Sequence, residues 1–143
     1  MFTLDDLQPL RGLTGVYFLY NSKKELVYIG KSTNMYSRIL EHKFENKKDF
    51  SYFKAAGSEG LTFVEIMEIY IIDRLRTKYN LINKRFIETS FDNFYFHLPT
   101  EVKEKISMNS ILKGYDKIIN FVCVDNEDFN RIFNSTLNTK KEL

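Results

Sequence analysis

Two short apolar runs near the amino terminus alternate as β-strands do. The first extends from Gly15 to Tyr20 and the second from about Glu25 to Gly30, and the polar link Asn21-Ser22-Lys23-Lys24 predicts a turn between them. Because successive strand residues point to opposite faces, Tyr17 and Tyr28 can share one face of the resulting β-hairpin. The other predicted positions are Leu19 and Leu26 beside the tyrosines, and Val16, Phe18, Tyr20, Val27 and Ile29 on the opposite face.

A helical spacing follows the hairpin. Between Asn34 and about Asn46 the residues Met35, Ile39 and Leu40 have helical spacing, and the pair Ser32-Thr33 offers suitable N-cap residues. Arg38 and His42 lie one turn apart, so both side chains project from the same side of this helix. A short run from Asp49 to Ala56 predicts a third strand that closes the sheet.

A second helix is predicted from Leu61 to Lys78, a segment rich in apolar residues and free of glycine and proline. Glu68 falls near the middle of the stripe that this helix presents to the core. A buried carboxylate is costly unless it is paired or bound to a cation, so Glu68 is expected either to bind a metal ion or to pair with Arg74 or Lys78. The predicted core stripe consists of Val64, Met67, Ile71, Leu75 and Tyr79.

The pattern is looser beyond Arg85. We expect an aromatic-rich strand from Phe91 to His97, a helix from Thr100 to Leu112, a strand from Lys117 to Val124 and a helix from Asn126 to Leu137. No internal repeat or flexible linker separates these elements from the first half. This part is therefore predicted to be structured.

Composition and cysteine content narrow the class of protein. A chain of 143 residues with 43% hydrophobic residues is large enough for one packed core. Its single cysteine, Cys123, excludes an internal disulfide and is expected to be a buried, inert thiol. The acidic start, Met1 to Asp6, and the absence of a long apolar run predict a cytoplasmic protein with no membrane segment.

Charge is distributed unevenly along the chain. Residues 1–85 carry 14 Lys and Arg against 10 Asp and Glu, whereas residues 86–143 carry 7 against 9. The basic half contains the tyrosine hairpin, which suits a polyanionic partner, although such charges also serve as plain soluble surface. The lysines that can form a phosphate track are Lys23, Lys24, Lys43, Lys47, Lys48 and Lys54.

Taken singly, the polar candidates all have ordinary structural explanations. Tyr17 and Tyr28 can be half-buried strand residues, Arg38 or His42 a solvated helix residue, and Asn80 a helix cap. Their joint order is harder to explain in this way. In chain order the elements are Gly15-x-Tyr17, Tyr28-Ile29-Gly30-Lys31, Arg38, His42, Glu68 and Asn80.

This order and spacing resemble the GIY-YIG nuclease family over about residues 13–85. The resemblance implies an α/β (α+β) fold with a small central antiparallel sheet flanked by helices. It divides the chain into a catalytic module, residues 1–85, and a C-terminal extension, residues 86–143, packed on the same domain. Two departures from the family pattern are Val16 in place of isoleucine and Thr77 in place of a common proline.

The resemblance also implies roles in phosphodiester hydrolysis. Tyr17 is the expected general base and Tyr28 the residue that orients the water or a phosphate oxygen, although these two roles can be exchanged. Arg38 would bind the phosphate, which suits its paired donors. Glu68 would hold one divalent ion, Mg²⁺ or Mn²⁺. His42 would receive a proton from the tyrosine.

The remaining implied site residues are Asn80 and four that face the nucleic acid. Gly30 would let the backbone approach the scissile group, and Lys31, Lys43 and Lys47 would contact phosphates. The expected function is a metal-dependent DNA endonuclease. The alternatives are a non-catalytic nucleic-acid-binding module of the same fold, or a nuclease subunit of a repair or mobile-element complex. The extension could contact a protein partner or a second copy.

Overall fold

The computed structural model describes residues 1–58, 61–83, 90–105 and 108–123. Two 3₁₀ turns, Leu4–Asp6 and Gln8–Leu10, precede a three-stranded sheet and its helices. In chain order the elements are β1 (Gly15–Tyr20), β2 (Leu26–Ser32), α1 (Met35–Glu45), β3 (Tyr52–Gly57), α2 (Leu61–Leu75), α3 (Phe91–Phe96), α4 (Thr100–Lys105) and α5 (Met108–Cys123).

The sheet has the order β2-β1-β3, and both pairings are antiparallel. Tyr17, on the central strand, lies opposite Gly30 on one side and Ala55 on the other. The predicted hairpin, the third strand and the α+β class with a small antiparallel sheet are therefore confirmed. The edge strand β2 carries Tyr28 and Lys31.

Each face of the sheet is covered by its own apolar core. On the α1 side the core contains Leu7, Leu10, Tyr17, Leu19, Met35, Ile39, Phe50, Phe53 and Ala55. On the α2 side it includes Val16, Phe18, Tyr20, Ile29, Val64, Met67, Ile71 and Leu75, joined by Phe91, Tyr115 and Val122. Alternation along β1 therefore divides its side chains between the two cores, as the sequence predicts.

A β-bulge changes the facing of one residue in β2. Leu19 pairs with Tyr28, but the next residue, Tyr20, pairs with Leu26, so Val27 is the additional residue on β2. Leu26 consequently packs in the α2-side core, whereas Val27 and Tyr28 pack on the α1 side. The prediction that Leu26 shares a face with Tyr28 was wrong for this reason. The prediction that Val27 lies on the face opposite Tyr28 was wrong as well.

Helix boundaries also differ by a few residues from those predicted. The N-cap of α1 is Asn34, whose side chain accepts hydrogen bonds from the N–H groups of Ser37 at 3.4 Å and Gly12 at 3.0 Å. Ser32 lies further out and accepts from the Asn34 N–H instead. Helix α2 ends at Leu75 rather than Lys78.

Both strands predicted in the C-terminal half are helical. Phe91–Phe96 forms α3, because Ser90 accepts a hydrogen bond from the Asn93 N–H and Phe91 packs edge-on against Tyr70 at 5.0 Å. The segment predicted as a strand from Lys117 lies within α5, and its apolar residues follow helical spacing: Ile118, Ile119, Val122 and Cys123.

The predicted helix Thr100–Leu112 overlaps α4 and the start of α5. The helix predicted at 126–137 lies outside the described residues, and so does the proposed boundary between residues 85 and 86. Cys123, expected to be buried, is partly exposed at the last residue of α5. In the part of the chain that the structure describes, no helix is long and apolar enough to cross a membrane.

Lys54 is a buried lysine and does not belong to a surface track. Its Nζ donates to the backbone carbonyls of Phe121 at 2.9 Å and Val122 at 3.1 Å, and the side chain is fully buried. The Tyr20 hydroxyl donates to the same Val122 carbonyl at 3.0 Å. The ammonium therefore anchors the last described turn of α5 to β3. The predicted phosphate contact at Lys54 was wrong.

Replacing Lys54 with methionine is expected to lower the free energy of unfolding by about 2 kcal/mol, since two charge-assisted hydrogen bonds are lost. The matched control is Lys43→Met. Lys43 also donates to one backbone carbonyl, that of Phe50 at 3.2 Å, but it is exposed to solvent, so its loss is expected to cost less than about 0.5 kcal/mol. Urea unfolding of both variants measures the difference. Equal decreases in the free energy of unfolding would contradict the anchoring role of Lys54.

Candidate active site

A cleft of about 460 Å³ opens beside the edge strand β2. Its walls come from β1 and β2, from α1 and the loop after it, from α2, and from the segment that follows α2. The lining residues are Tyr17, Tyr28, Lys31, Arg38, Glu45, Lys47, Lys48, Glu68, Ile72, Ile82 and Asn83. The fold thus gathers side chains that are far apart in sequence around one polar space.

Six of the ten predicted site residues line this cleft. Of the other four, His42 and Gly30 lie against Tyr17, and Lys43 and Asn80 lie elsewhere. Tyr17, Tyr28, Arg38 and Glu68 all line it, together with Lys31 and Lys47. Lys43 instead donates to the backbone carbonyl of Phe50, and its Nζ lies 5.3 Å from the centre of the Phe50 ring. Asn80 is exposed and is not among the lining residues. The structure therefore separates Lys43 and Asn80 from the site predicted for them.

The Tyr17 hydroxyl lies 2.6 Å from Nε2 of His42, and both side chains are buried. Burial raises the pKa of the Tyr17 phenol well above its usual 10, and the adjacent Tyr28 adds to this effect. Burial also lowers the pKa of His42 to about 4, and the nearby Lys48 and Arg38 act in the same direction. At neutral pH both groups are therefore uncharged, and the phenol can donate a hydrogen bond to an unprotonated Nε2 of the imidazole.

This protonation pattern refines the expected base chemistry. A free tyrosinate is disfavoured at this position, but His42 can accept the Tyr17 proton as Tyr17 accepts one from another group. Neutral His42 with Nε2 as acceptor carries its hydrogen on Nδ1. That atom is buried and makes no hydrogen bond within the described residues. The pair can thus move a proton without forming a lasting charge on the phenol.

The depressed pKa of His42 predicts a stability loss in acid. Between pH 6.5 and about 4 the unfolded chain protonates this histidine and the folded chain does not, so stability falls as pH falls through that window and is unaffected above it. Relative to His42→Gln, we expect the wild type to lose roughly 2–3 kcal/mol more between pH 7 and pH 4.5. Urea unfolding at both pH values measures this, with the exposed His97→Gln as control.

Gly30 makes room for the Tyr17 ring. Tyr17 pairs with Gly30 across the hairpin, and its ring covers the glycine so closely that an added Cβ would overlap the Cζ and Oη atoms. The side-chain position at Gly30 is therefore occupied by the phenol, and the approach of a scissile group to this backbone stays a prediction. The glycine thus positions Tyr17 against His42.

Two of the cations predicted to hold a phosphate, Arg38 and Lys31, each have a carboxylate beside them. Nη1 of Arg38 lies 2.5 Å from Oε2 of Glu41 and 4.0 Å from Oε1 of Glu45, both on the same helix. Nζ of Lys31 lies 3.3 Å from Oε1 of Glu65. These side chains remain between a quarter and three fifths exposed. The cations are therefore within reach of a ligand that enters from solvent.

Lys48 places a cation beside the tyrosine pair. Its Nζ lies 4.7 Å from the centre of the Tyr28 ring. Tyr28 in turn packs against His42 with ring centres 5.1 Å apart, and against Tyr17 at 6.2 Å. Burial raises the pKa of the Tyr28 phenol, which keeps it protonated at neutral pH. Tyr28 is thus a hydroxyl donor on the solvent side of the buried Tyr17–His42 pair.

Glu68 occupies the buried position that its helical phase predicts, with 6% of its surface exposed. The neighbouring oxygen groups are the Tyr17 and Tyr28 hydroxyls and the side-chain amide of Asn83, all lining the same cleft. Oxygen ligands of this kind suit a hard divalent cation, with water and substrate completing its coordination. No cluster of three or more His, Cys, Asp or Glu side chains occurs within the described residues. These oxygen groups therefore suit one divalent ion whose remaining ligands are water and the substrate.

Asn83 lines the cleft without having been predicted there. Its Oδ1 accepts from the Ile29 N–H at 3.0 Å, and its Nδ2 donates to the Ile29 carbonyl at 2.7 Å. The preceding Ile82 N–H donates to the Val27 carbonyl at 2.7 Å. This segment therefore covers the open edge of β2 just beside Tyr28. Nothing in the local sequence distinguishes Asn83 from Asn80, because the difference depends on pairing with a distant strand.

Hydrolysis of a phosphodiester needs fixed positive charge on the phosphate and a group that removes a proton from the attacking water. The sheet edge brings the cations Arg38 and Lys31 and the hydrogen-bonded Tyr17–His42 pair around one space, an arrangement that suits a nuclease. Residues 13–80 match the GIY-YIG catalytic domain. This match confirms the resemblance predicted from the sequence and supports the predicted enzyme class, an endonuclease. Such nucleases generally depend on a divalent metal ion.

The chain is also similar to the UvrABC system protein C of Cytophaga hutchinsonii. The two are 26% identical over 137 residues, which is 96% of this chain. The matched part is 19% of that relative, so the chain spans about a fifth of its length. No solved structure matches the chain at a significant level.

Proposed function

We propose that the protein is a metal-dependent DNA endonuclease that cuts phosphodiester bonds in the cleft beside β2. The observation that carries the proposal is the convergence of Tyr17, Arg38 and Glu68 on this cleft. Tyr17 brings with it the buried hydrogen bond to His42. A proton acceptor, a phosphate-binding group and a metal ligand are then within one space, as hydrolysis requires.

Tyr17 is assigned as the residue that takes the proton from the attacking water. It hands its own proton to Nε2 of His42, which is neutral at pH 7 because its pKa is about 4. Tyr28 lies further toward solvent and makes no comparable contact with the imidazole acceptor among the described hydrogen bonds, so it is assigned to orient the water or a phosphate oxygen. We therefore propose the two tyrosine roles in this order rather than exchanged.

Arg38 and Lys31 are assigned to the non-bridging oxygens of the scissile phosphate. Arg38 offers paired donors, and Lys31 adds a point charge from the β2 edge. Glu68 would hold the divalent ion, Mg²⁺ or Mn²⁺. When bound, the ion supplies Lewis-acid polarisation of the phosphate and stabilises the leaving oxygen. Lys47 and Lys48 extend the positive wall of the cleft and are assigned to flanking phosphates.

Plasmid nicking tests the proposal. The purified chain is incubated with supercoiled plasmid in Mg²⁺, in Mn²⁺, and in Mg²⁺ with excess EDTA. The expected result is conversion to the open-circular form in either metal and none with EDTA. Binding of labelled duplex without cleavage in any metal would instead support the non-catalytic module of the same fold.

The match to a UvrABC system protein favours one further candidate, a nuclease subunit that works with partner proteins. In that case the C-terminal extension is the proposed contact for a protein partner or a second copy. Branched, nicked and damaged substrates, compared with intact duplex in the same nicking assay, test whether the chain alone selects a repair-like structure. Equal rates on all of them would leave selection to partners.

A further inference from the structure

Arg38 is held by carboxylates of its own helix in the substrate-free protein. Nη1 lies 2.5 Å from Glu41 and 4.0 Å from Glu45, one and two turns further along α1. Glu45 also lines the cleft, on the same wall as Arg38. The guanidinium that the proposed function assigns to phosphate is therefore engaged with anions before any phosphate arrives.

These ion pairs are suited to exchange. The three side chains are 41%, 57% and 43% exposed, and ion pairs at such exposure add little to stability. A phosphate offers the guanidinium two oxygens in the geometry that its paired donors prefer. Lys31, the second assigned phosphate contact, is held in the same way by Glu65 at 3.3 Å. A substrate phosphate entering the cleft thus meets cations that already have weak anionic partners.

We propose that Glu41, assisted by Glu45, acts as a positioning residue that keeps Arg38 engaged until a substrate phosphate replaces the carboxylate. This inference rests on the proposed function of Arg38. The carboxylates orient the guanidinium toward the cleft and lower its affinity for any single phosphate. Polyanions that do not fill the rest of the cleft are then held weakly, because they must compete with Glu41 without compensating contacts.

A simpler explanation is an ordinary ion pair between residues three apart on a helix, with no effect on binding. The two explanations differ in whether Glu41 acts on DNA through Arg38. A general loss of negative charge would strengthen DNA binding regardless of which residue occupies position 38. Replacement of Glu41 by a phosphate requires the Arg38 guanidinium. The effect of Glu41 on DNA affinity must therefore disappear when Arg38 is removed.

A double-mutant cycle separates these explanations. Glu41→Gln, Arg38→Gln and the double variant are titrated with a fluorescein-labelled DNA duplex in EDTA, and dissociation constants are read from anisotropy. Glu41→Gln is expected to bind about threefold to tenfold more tightly than the wild type, and in cleavage the gain appears in KM rather than in kcat. In the Arg38→Gln background the same substitution should change affinity by less than about twofold.

Glu101→Gln, in the first turn of α4 and outside the cleft lining, is the matched control for net charge. Unchanged or weaker binding by Glu41→Gln would overturn the inference, and so would a gain that persists in the Arg38→Gln background or that Glu101→Gln reproduces. Failure of the wild type to nick plasmid would overturn the proposed function separately, because the binding cycle needs no cleavage.

Discussion

Replacing Glu68 with glutamine is expected to reduce plasmid nicking at least about a thousandfold and to leave the folded protein as stable as the wild type or more so. The amide keeps the shape of the side chain but cannot bind a divalent ion as a carboxylate does. A buried carboxylate also carries a desolvation cost that a neutral amide lacks. Glu68, with 6% of its surface exposed, bears this cost, which the proposed metal-binding role would explain.

Two measurements on the same Glu68→Gln sample test this prediction. Nicking rate in Mg²⁺ reports the chemistry, and urea unfolding reports the free energy of unfolding. Glu101→Gln should match the wild type in both. Near-normal nicking by Glu68→Gln would refute the metal-binding role, while a large loss of stability together with activity would show that the carboxylate is a structural residue.

Replacing Gly30 with alanine is expected to lower activity about a hundredfold and stability by about 1–3 kcal/mol. The added methyl group would overlap the Tyr17 ring, which lies directly over the glycine. The ring must move, and its hydroxyl then loses the 2.6 Å contact with Nε2 of His42. The loss of activity comes from the misplaced phenol and needs no change in the metal or phosphate ligands.

Gly114 supplies a matched control for this glycine-to-alanine change. It lies inside α5, and an added Cβ there meets no atom within 4 Å. Gly114→Ala should therefore raise helix stability by up to about 1 kcal/mol and leave nicking unchanged. The double variant Gly30→Ala/Tyr17→Phe should nick plasmid no more slowly than Tyr17→Phe alone. A further hundredfold loss of nicking activity in the double variant would mean that Gly30 acts through a group other than the Tyr17 hydroxyl.

The parts of the fold that local patterns determine were predictable from the sequence. Alternation specified β1 and its two faces, and helical phase placed Glu68 among buried neighbours. Arg38 and His42 share a helix at the spacing that brings both toward Tyr17, one at the cleft and one behind it. For these residues secondary structure and proximity in sequence were sufficient.

The errors occurred where distant contacts decide the outcome. The bulge that turns Leu26 away from Tyr28 depends on pairing between strands, and nothing in the local alternation marks it. Phe91–Phe96 has strand-like composition, but the Ser90 cap and packing against Tyr70 favour a helix. Asn83 enters the site by bonding to the backbone of a strand more than fifty residues earlier.

Lysines were the hardest residues to assign from the sequence. Lys43, Lys47 and Lys54 all fall in the same basic stretch, yet they have three different surroundings. Lys47 lines the cleft, Lys43 binds a neighbouring carbonyl, and Lys54 is buried under the end of α5. A charge count cannot separate these cases, because the role of a long cationic side chain depends on what lies at its tip.

The anchoring of α5 by Tyr20 and Lys54 limits how freely the nuclease module can be transplanted. Tyr17 and Tyr20 lie on one strand, and the second is fixed from the opposite side of the sheet by the last carbonyls of α5. Grafting residues 1–85 alone onto another protein would remove Phe91, Tyr115 and Val122 from the α2-side core and leave the Lys54 ammonium without these two acceptors. A fusion that keeps the candidate active site intact should therefore include α5.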